Sequence, residues 1–516
     1  MVRTDPDNLK QAMTELATQS TESPYFAAID LGSNSFHMLI VKVNDGMLET
    51  VDRVKEMVQI AKGLKYGQGL SEDAKARALH CLSCFQERIR DIPSEQVRAV
   101  GTKALRSASN AEQFLKEAES ALGRPIDIIS GYEEARLVYL GVSHDISADK
   151  GRPLIIDIGG GSTEFIIGKG KLTLLMESLS IGCVTYSDRY LHHGDSESAA
   201  QISNKMISEV YYATCLELEL ITRSYRKLGW DIAVGSSGTM RAIASLMPAS
   251  IVTGLITREG LNALLDQLRQ SGSIDNNSEL SEQRASVLPA GIIILSAIFD
   301  QLQLDEIHVV ESTLKEGLLY DTLGRLSAHD LRDQTVIKMM ERYQVDQEQA
   351  LRVDRTMDQL VKDLPSHIVN GVNILKILHW AAQLHEIGLS VSHSGYHNHG
   401  AYLLKHSDMA GFSRFEQELL SLFVGSHRRK IRAERLQLLT ADTQQSLAVF
   451  FVCMRLAVLL NHRREDDIDL PQISVKEHSI ILEFADDWLG DHPLTYHKLL
   501  QEQYYLEPLP IQFEFY

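Results

Sequence analysis

Two stretches of the chain share one pattern of apolar and polar positions. Tyr25 to Val41 and Leu154 to Ile167 each read as an apolar strand ending in aspartate (Asp30, Asp157), a glycine/serine turn and a second apolar strand. Each continues through another turn, Asn44-Asp45-Gly46 or Gly168-Lys169-Gly170, into a third strand. The repeat predicts an internal duplication, with two related lobes facing a cleft. Elsewhere in the front half the two periods alternate. Glu72 to Arg90, Ala111 to Leu122, Glu133 to Leu140, Ala199 to Tyr225 and Gly291 to Leu302 have helical period, while Val97 to Val100, Ile126 to Ile129, Ile232 to Val234 and Ile307 to Val310 read as strands. Ser271 to Glu282 is polar and reads as a loop. Such alternation predicts a mostly parallel sheet in each lobe. From about Asp330 to Arg464 nearly everything has helical period, and strand-like runs return between Leu470 and Tyr516. The expected organisation is a disordered tail at 1–24, lobe I at 25–137, lobe II at 138–325, an all-α domain at 326–465 and a small α+β module at 466–516.

Composition narrows the class. With 516 residues, several domains are expected. The five cysteines are few and scattered, as in a reducing cytosol. Cys81-x-x-Cys84 lies in a segment of helical period with no second pair to complete a zinc site. The polar start of the chain reads as neither signal peptide nor anchor, and the apolar run Leu288 to Phe299 is too short to span a bilayer, so no transmembrane segment is expected. A formal net charge of −18 argues against nucleic acid and membrane surfaces as general partners. An anionic substrate then requires a local cationic groove or a bound metal.

The two glycine/serine turns are where such chemistry fits. Backbone N–H groups and hydroxyls at a strand end receive an anion, and small residues let a phosphate approach the main chain. Asp30 and Asp157, at the ends of their strands, are expected to point into the cleft, where carboxylate oxygens suit magnesium. Glu164, across the second turn from Asp157, reaches the same place. In Ser130-Gly-Tyr-Glu133-Glu134-Ala-Arg136 two acids share the first turn of a helix. Glu133 reads as a helix-dipole partner, while for Glu134 that role and a general base facing the cleft are equally open on residue types alone. Arg106, in Gly101-Thr-Lys-Ala-Leu-Arg106, is either part of an anion cradle or a solvated helix residue. Gly235-Ser-Ser-Gly238-Thr239 is either a phosphate contact or plain fold geometry.

Together, Asp30-Leu-Gly-Ser-Asn-Ser, Gly101-Thr-x-Ala-Leu-Arg, Ile129-Ser-Gly-x-Glu-Glu-Ala-Arg and Asp157-Ile-Gly-Gly-Gly-Ser-Thr-Glu resemble the exopolyphosphatase/guanosine pentaphosphate phosphatase family, of the actin, sugar-kinase and Hsp70 ATPase superfamily. The resemblance spans essentially the whole chain. It implies a duplicated actin-like (ribonuclease H-like) two-lobe α/β fold, followed by an all-α HD-like domain and a small C-terminal α+β module. It implies that Glu134 orients or deprotonates the lytic water, and that Mg2+ lies near Asp157 and Glu164, with Asp30 acting through water. Phosphates are expected to be held by Gly32, Ser33, Asn34, Ser35, Arg106, Gly159, Gly160, Gly161, Ser162, Thr163 and Gly238. The implied reaction is phosphoanhydride hydrolysis releasing orthophosphate from a chain end. One motif departs from the family: Glu311-Ser312-Thr-Leu-Lys315-Glu-Gly317 stands where Asp-Gly-Ala-Leu-Arg-Glu-Gly is common, a change expected to touch inter-domain contacts rather than the chemistry.

In the helical half, seven of nineteen histidines lie between His379 and His427, and Glu386 stands where an HD pair has aspartate. Structural or substrate-contacting histidines are expected there ahead of a metal site. The densest basic run, holding Arg428, Arg429, Lys430 and Arg432, is expected to track the distal part of a polyanion. The Gly159-Gly160-Gly161 turn and His393-Ser-Gly-Tyr-His-Asn-His look more like exopolyphosphatases. Inorganic polyphosphate is therefore the expected substrate, with guanosine pentaphosphate the alternative and both activities together open. A non-hydrolysing polyphosphate or alarmone sensor is the alternative outside the enzymes. Similarity implies a homodimer, and the cysteine usage is read as a cytoplasmic location, with peripheral membrane association the variant reading.

Overall fold

The computed structural model describes residues 23–516 apart from 45–46, 63, 65–68, 147–150, 171, 192–200, 248–253, 275–281, 327–329, 363, 365–366, 437–438, 467–469, 477–478 and 486. The expected tail (to residue 22), the tip of the first Asn-Asp-Gly turn and most of the expected 271–282 loop lie outside the described residues. The rest forms two compact units that divide at Asp330/Leu331.

The first unit holds two sheets. One runs β3-β2-β1-β4-β5, with β1 Tyr25–Leu31, β2 Phe36–Asn44, β3 Met47–Glu56, β4 Val97–Gly101 and β5 Ile126–Ile128. The other runs β10-β11-β9-β6-β7-β8, with β6 Pro153–Ile158, β7 Thr163–Lys169, β8 Leu172–Leu179, β9 Ile232–Ser236, β10 Leu255–Thr257 and β11 Glu306–Val309. Apart from β10, which pairs antiparallel with the far edge, the second order repeats the first strand for strand, as the duplicated pattern predicts. The sheets are mixed rather than mostly parallel. Tight turns join β1-β2-β3 and β6-β7-β8 as antiparallel ladders, and the parallel neighbours are those reached through longer crossovers (β1/β4, β4/β5, β6/β9, β9/β11).

Both faces of each central strand are covered, which is why these strands read as continuous apolar runs. Ala27, Ile29 and Leu31 of β1 face one core with helices α1 (Glu72–Ile89) and α3 (Ala111–Leu122). Phe26 and Ala28 face another that also takes Ile155 and Ile166 of the second sheet. Two helices supply that shared core, α4 (Gly131–Val142) and α9 (Leu314–Leu326). They cross where Gly141 meets Gly317: a Cβ on Gly317 would collide with the Leu137 carbonyl, so the crossing requires glycine. Between β4 and α3 lies the short helix α2 (Lys103–Ser107). The second sheet packs with α5 (Asn204–Leu228), α6 (Ser237–Ser245), α7 (Arg258–Ser271) and α8 (Leu288–Leu302). α7 occupies sequence just before the polar stretch, and α8 is the apolar run, buried along its length.

The second unit is built on α10 (Leu331–Arg342), α11 (Gln347–Val361), α12 (Ile374–Leu384), α13 (Tyr396–His406), α14 (Arg414–Ser426) and α15 (Ala441–Leu460), with a small hairpin, β12 (Ile368–Val369) and β13 (Val372–Asn373), ahead of α12. The C-terminal strands β14 (Gln472–Lys476), β15 (Ser479–Glu483) and β16 (Gln512–Phe515), with α16 (Pro493–Tyr505), share one hydrophobic core with these helices through Ile480, Leu482, Leu499 and Phe513. By length and composition α15 is apolar enough to cross a membrane, yet most of it is buried as the centre of this core. The Cys81/Cys84 pair lies on α1, with Cys81 buried and Cys84 exposed.

Candidate active site

The turns after β1 and β6 meet at one cavity in the first unit. It is lined by Asp30, Gly32 to His37 apart from Phe36, Glu134, Asp157, Gly159 to Ser162, Glu164 and Gly238. The loops touch: a Cβ on Gly160 would sit 3.1 Å from Ser33 Cβ, so glycine there lets the two turns close on each other. Duplication makes the site pseudo-symmetric. Asp30 pairs across its hairpin with His37, and Asp157 pairs likewise with Glu164. Lobe II thus sets two carboxylates directly opposite, an arrangement that is unfavourable without a compensating charge.

Burial shifts the carboxylates of the cavity upward. Burial first, and then Glu134, push the Asp30 carboxyl up to about 8. Burial, reinforced by Asp157 and resisted by Arg106, moves Glu134 up to about 7. Asp157 is raised by burial. Glu164 is raised well above the ordinary range by burial and by Glu134 and Asp157, although Ser178 Oγ donates to it at 2.8 Å. Asp30 Oδ1 and Glu134 Oε2 are buried without a hydrogen-bond partner. The same cavity is also lined by His37, Arg241, Arg284 and Lys315. Burial, then Lys315, Lys55, Arg241 and Arg284, hold the His37 imidazole down at about 3, so it is neutral, and its Nε2 lies 2.8 Å from Ser35 Oγ. Lys55 is lowered to about 8 by burial and the same cations.

The two acids left equivalent by residue type separate in space. Ser130 caps α4 by accepting from the Glu133 amide. Glu133 is then turned inward, held by Arg136 through two bonds of 2.8 Å, and Arg136 also reaches the buried Asp321. Glu134 faces the cavity, with Arg106 3.7 Å away.

Thr163, Arg106 and the basic run expected to hold the distal chain are not among the residues lining this cavity. Thr163 is fully buried and its hydroxyl donates to the Ile181 carbonyl at 2.6 Å, which makes it a structural residue because the pleat turns it away from the cavity. Arg106 stands behind Glu134 rather than in the lining, donating to the Ile129 carbonyl. Arg428, Arg429, Lys430 and Arg432 belong to the second unit, where Arg428 lies over the Tyr396 ring and Lys430 over Tyr504. The motif departure also reads differently in space. Lys315 lines the cavity, its Nζ 2.9 Å from Thr313 Oγ1, and the Ser312 carbonyl accepts from Ser236 Oγ. The charged lining residues that sequence reasoning missed are Arg241 and Arg284. Neither sits in a glycine turn, and Arg284 is anchored by donating to the Gly238 carbonyl at 2.8 Å. Ser237, beside them, holds φ of +94°, a strained conformation of the kind stored at working sites.

In the second unit two of the clustered histidines are tied to the backbone. His385 and His427 are buried, with each Nδ1 against a backbone carbonyl (Ala382 and Val424), and Glu386 accepts from Arg464 at 2.6 Å. Among the described residues, the one group of three converging ligand atoms is Asp354, Asp358 and His379, in which His379 Nδ1 is ion-paired 2.7 Å from Asp354.

The Ppx/GppA phosphatase family matches residues 39–326, and domain III of that family matches residues 331–503. The chain belongs to the Ppx/GppA phosphatase family. It is a phosphoanhydride hydrolase with the actin-like two-lobe fold in its first unit. Among relatives of this Ppx/GppA member, the guanosine-5'-triphosphate,3'-diphosphate pyrophosphatase of Pseudoalteromonas translucida is 40% identical over 484 residues, covering 92% of this chain and 95% of that one. The protein of the same name from Vibrio cholerae is 38% identical over 482 residues, covering 93% and 95%. An exopolyphosphatase structure from Cytophaga hutchinsonii is similar at 26% identity and a TM-score of 0.51, covering 58% of this chain and 97% of that one.

Proposed function

We propose that this phosphatase removes the terminal 5'-phosphate of guanosine pentaphosphate, leaving the tetraphosphate. The observation that carries the reading is one cavity lined by both buried carboxylates and the cations Arg241, Arg284 and Lys315, in a chain 40% identical along nearly its full length to a pyrophosphatase named for that substrate. Arg241, Arg284 and Lys315 supply charge for phosphates beyond the one being cleaved. The turns Gly32 to Ser35 and Gly159 to Ser162 receive the terminal phosphate through backbone N–H and hydroxyl groups. Glu134 accepts the proton of the attacking water.

The donor set fits magnesium. Asp30, Asp157 and Glu164 offer oxygen only, Asp30 keeps an unpartnered buried oxygen, and two of the three carboxylates face each other across a hairpin. No three of these oxygens converge as a closed cage, which suits an ion that keeps several waters and binds substrate phosphates. Bound there, magnesium neutralises charge on the phosphates.

Polyphosphate, the substrate expected from the Gly159-Gly160-Gly161 turn, is the second reading. A Cβ on Gly161 would come within 3.0 Å of Lys103 Cγ and Ser33 Oγ, so that position answers to loop packing more than to substrate. The names of the relatives favour the pentaphosphate. Turnover of the two substrates at equal magnesium is the test. We expect kcat/KM for guanosine pentaphosphate to exceed that per chain end of long polyphosphate by at least about tenfold, equivalent to about 1.4 kcal/mol of transition-state preference. A polyphosphate preference of the same size returns the first reading.

The basic run of the second unit bears on that second substrate. Replacing Arg428, Arg429, Lys430 and Arg432 with alanine is expected to weaken use of long polyphosphate, most clearly as salt is raised, while sparing the pentaphosphate. Product lengths after partial digestion report it: a processive enzyme leaves full-length chains beside free phosphate, a distributive one leaves a ladder. Unchanged processivity and KM in the quadruple variant would make the run a solvated face.

A further inference from the structure

Ser35 leads into β2, and His37 is the second residue of that strand. Side chains alternate along a strand, so Phe36 turns one way and its two polar neighbours turn the other. Phe36 is fully buried in the core beside β1, which pins the strand, while Ser35 and His37 both line the cavity. His37 also stands opposite Asp30 across the hairpin, and at the same step of its own ladder the second lobe sets Glu164 opposite Asp157. The duplicated fold thus builds one cleft-facing position twice. Lobe II fills it with a carboxylate, lobe I with an imidazole.

His37 Nε2 and Ser35 Oγ are 2.8 Å apart, and the direction of that hydrogen bond decides what Ser35 can do. A serine hydroxyl has one proton to give and two lone pairs, whereas the oxygens of an ionised phosphate only accept. If Nε2 accepted, the Ser35 proton would be spent on the ring, and the serine would turn lone pairs toward the phosphate. That contact is repulsive. If Nε2 donates, the ring takes up a lone pair of Oγ and leaves the hydroxyl proton for the phosphate. Only the second arrangement agrees with a turn that receives phosphate, and it holds for a neutral ring protonated at Nε2 and for the imidazolium alike. Ser35 is 8% exposed, so water has little access to reorient its hydroxyl.

We propose that His37 is a positioning residue for the reaction: it donates from Nε2 to Ser35 Oγ and so aims the Ser35 hydroxyl proton at the terminal phosphate. The proposal rests on the reading that the Gly32 to Ser35 turn receives that phosphate, and it adds the group that orients the hydroxyl there. An ionised glutamate at this position, as lobe II has, could only accept and would draw the Ser35 proton away from the phosphate. This is why the two lobes match at the aspartate and differ at the residue opposite it.

A double-mutant cycle on kcat/KM tests it, run with guanosine pentaphosphate and with polyphosphate, because a ratio between variants does not depend on which substrate is preferred. Ser35→Ala and His37→Leu are each expected to lower kcat/KM by about tenfold or more, and the double variant no further than the worse of the two. His37→Gln restores an N–H donor of similar reach and is expected to recover kcat/KM to within about threefold of the wild type. A histidine that only fills space would add its loss to that of Ser35→Ala and would not be recovered by glutamine. The direction of the bond is read on the full-length wild type by nitrogen NMR of labelled histidine with orthophosphate bound, His37 being the signal lost in His37→Gln. A proton on Nε2 is expected, and a ring protonated at Nδ1 alone overturns the proposal. So do losses that add in the double variant, or a His37→Leu variant as active as the wild type where Ser35→Ala is impaired. Full activity in Ser35→Ala removes the phosphate-receiving role of that turn, and this inference with it.

Discussion

Glu134→Gln is expected to lower kcat at least about a hundredfold with KM nearly unchanged, as when a general base is deleted while its shape remains. The reason is specific to where Glu134 sits. Its Oε2 is buried at the cavity with no hydrogen-bond partner and only the Arg106 ion pair at 3.7 Å, and burial raises the carboxyl to about 7, so it holds a proton affinity suited to taking one from water. The sign for pH follows: the base works ionised, so kcat/KM falls as pH drops through its pKa, and the acidic limb lies near 7 rather than in the ordinary carboxylate range. More magnesium should shift that limb downward, because a nearby cation favours the ionised carboxylate. Glu133→Gln supplies the contrast. Glu133 is 1% exposed and bound twice to Arg136, so its loss strips half the compensation from a buried guanidinium. The expected effect is a loss of stability on the order of 3–5 kcal/mol, read by denaturant unfolding, with kcat of the folded fraction preserved. If Glu133→Gln loses turnover and Glu134→Gln does not, the assignment is reversed.

Asp157→Asn and Glu164→Gln are each expected to raise the magnesium concentration for half-maximal activity by about tenfold or more, since each removes negative charge from an oxygen-only site. The two should also differ from a merely structural substitution in a second respect. Asp157 and Glu164 repel each other across β6 and β7, so without metal the neutral variants are expected to unfold at higher denaturant than the wild type. Added magnesium should stabilise the wild type and leave the variants nearly unmoved. Unchanged magnesium titrations in both variants would return these residues to turn structure.

The structure also shows which inferences were available from the chain alone. The duplication was, because each lobe begins with the same strand-Asp-turn-strand pattern, and hydrophobic period and turn chemistry are local properties. For the same reason Asp30, Asp157 and the glycine turns were readable as neighbours in chemistry before they were neighbours in space. The pairing direction of the strands was misjudged where alternation of helix and strand outweighed the tight turns that make β1-β2-β3 and β6-β7-β8 antiparallel. Thr163 looked like part of a phosphate loop because sequence gives proximity and not direction, and the pleat aims its hydroxyl at Ile181.

What only the tertiary structure decided is the other half of the site. Glu133 and Glu134 are adjacent and alike, and no local rule separates them. The choice is made by Arg136 and Asp321, which arrive on the crossing of α4 and α9 permitted by Gly141 and Gly317. Arg241, Arg284 and Lys315 come from three separate segments with no common motif, yet all three line the cavity. The sequence by itself determined the repeated strands and loops, since those follow from interactions between residues close along the chain. The gathering of cations and carboxylates in one cavity, and with it the choice of base, rests on burial and on Coulomb contacts between residues far apart in sequence, and these exist only once the two lobes have packed.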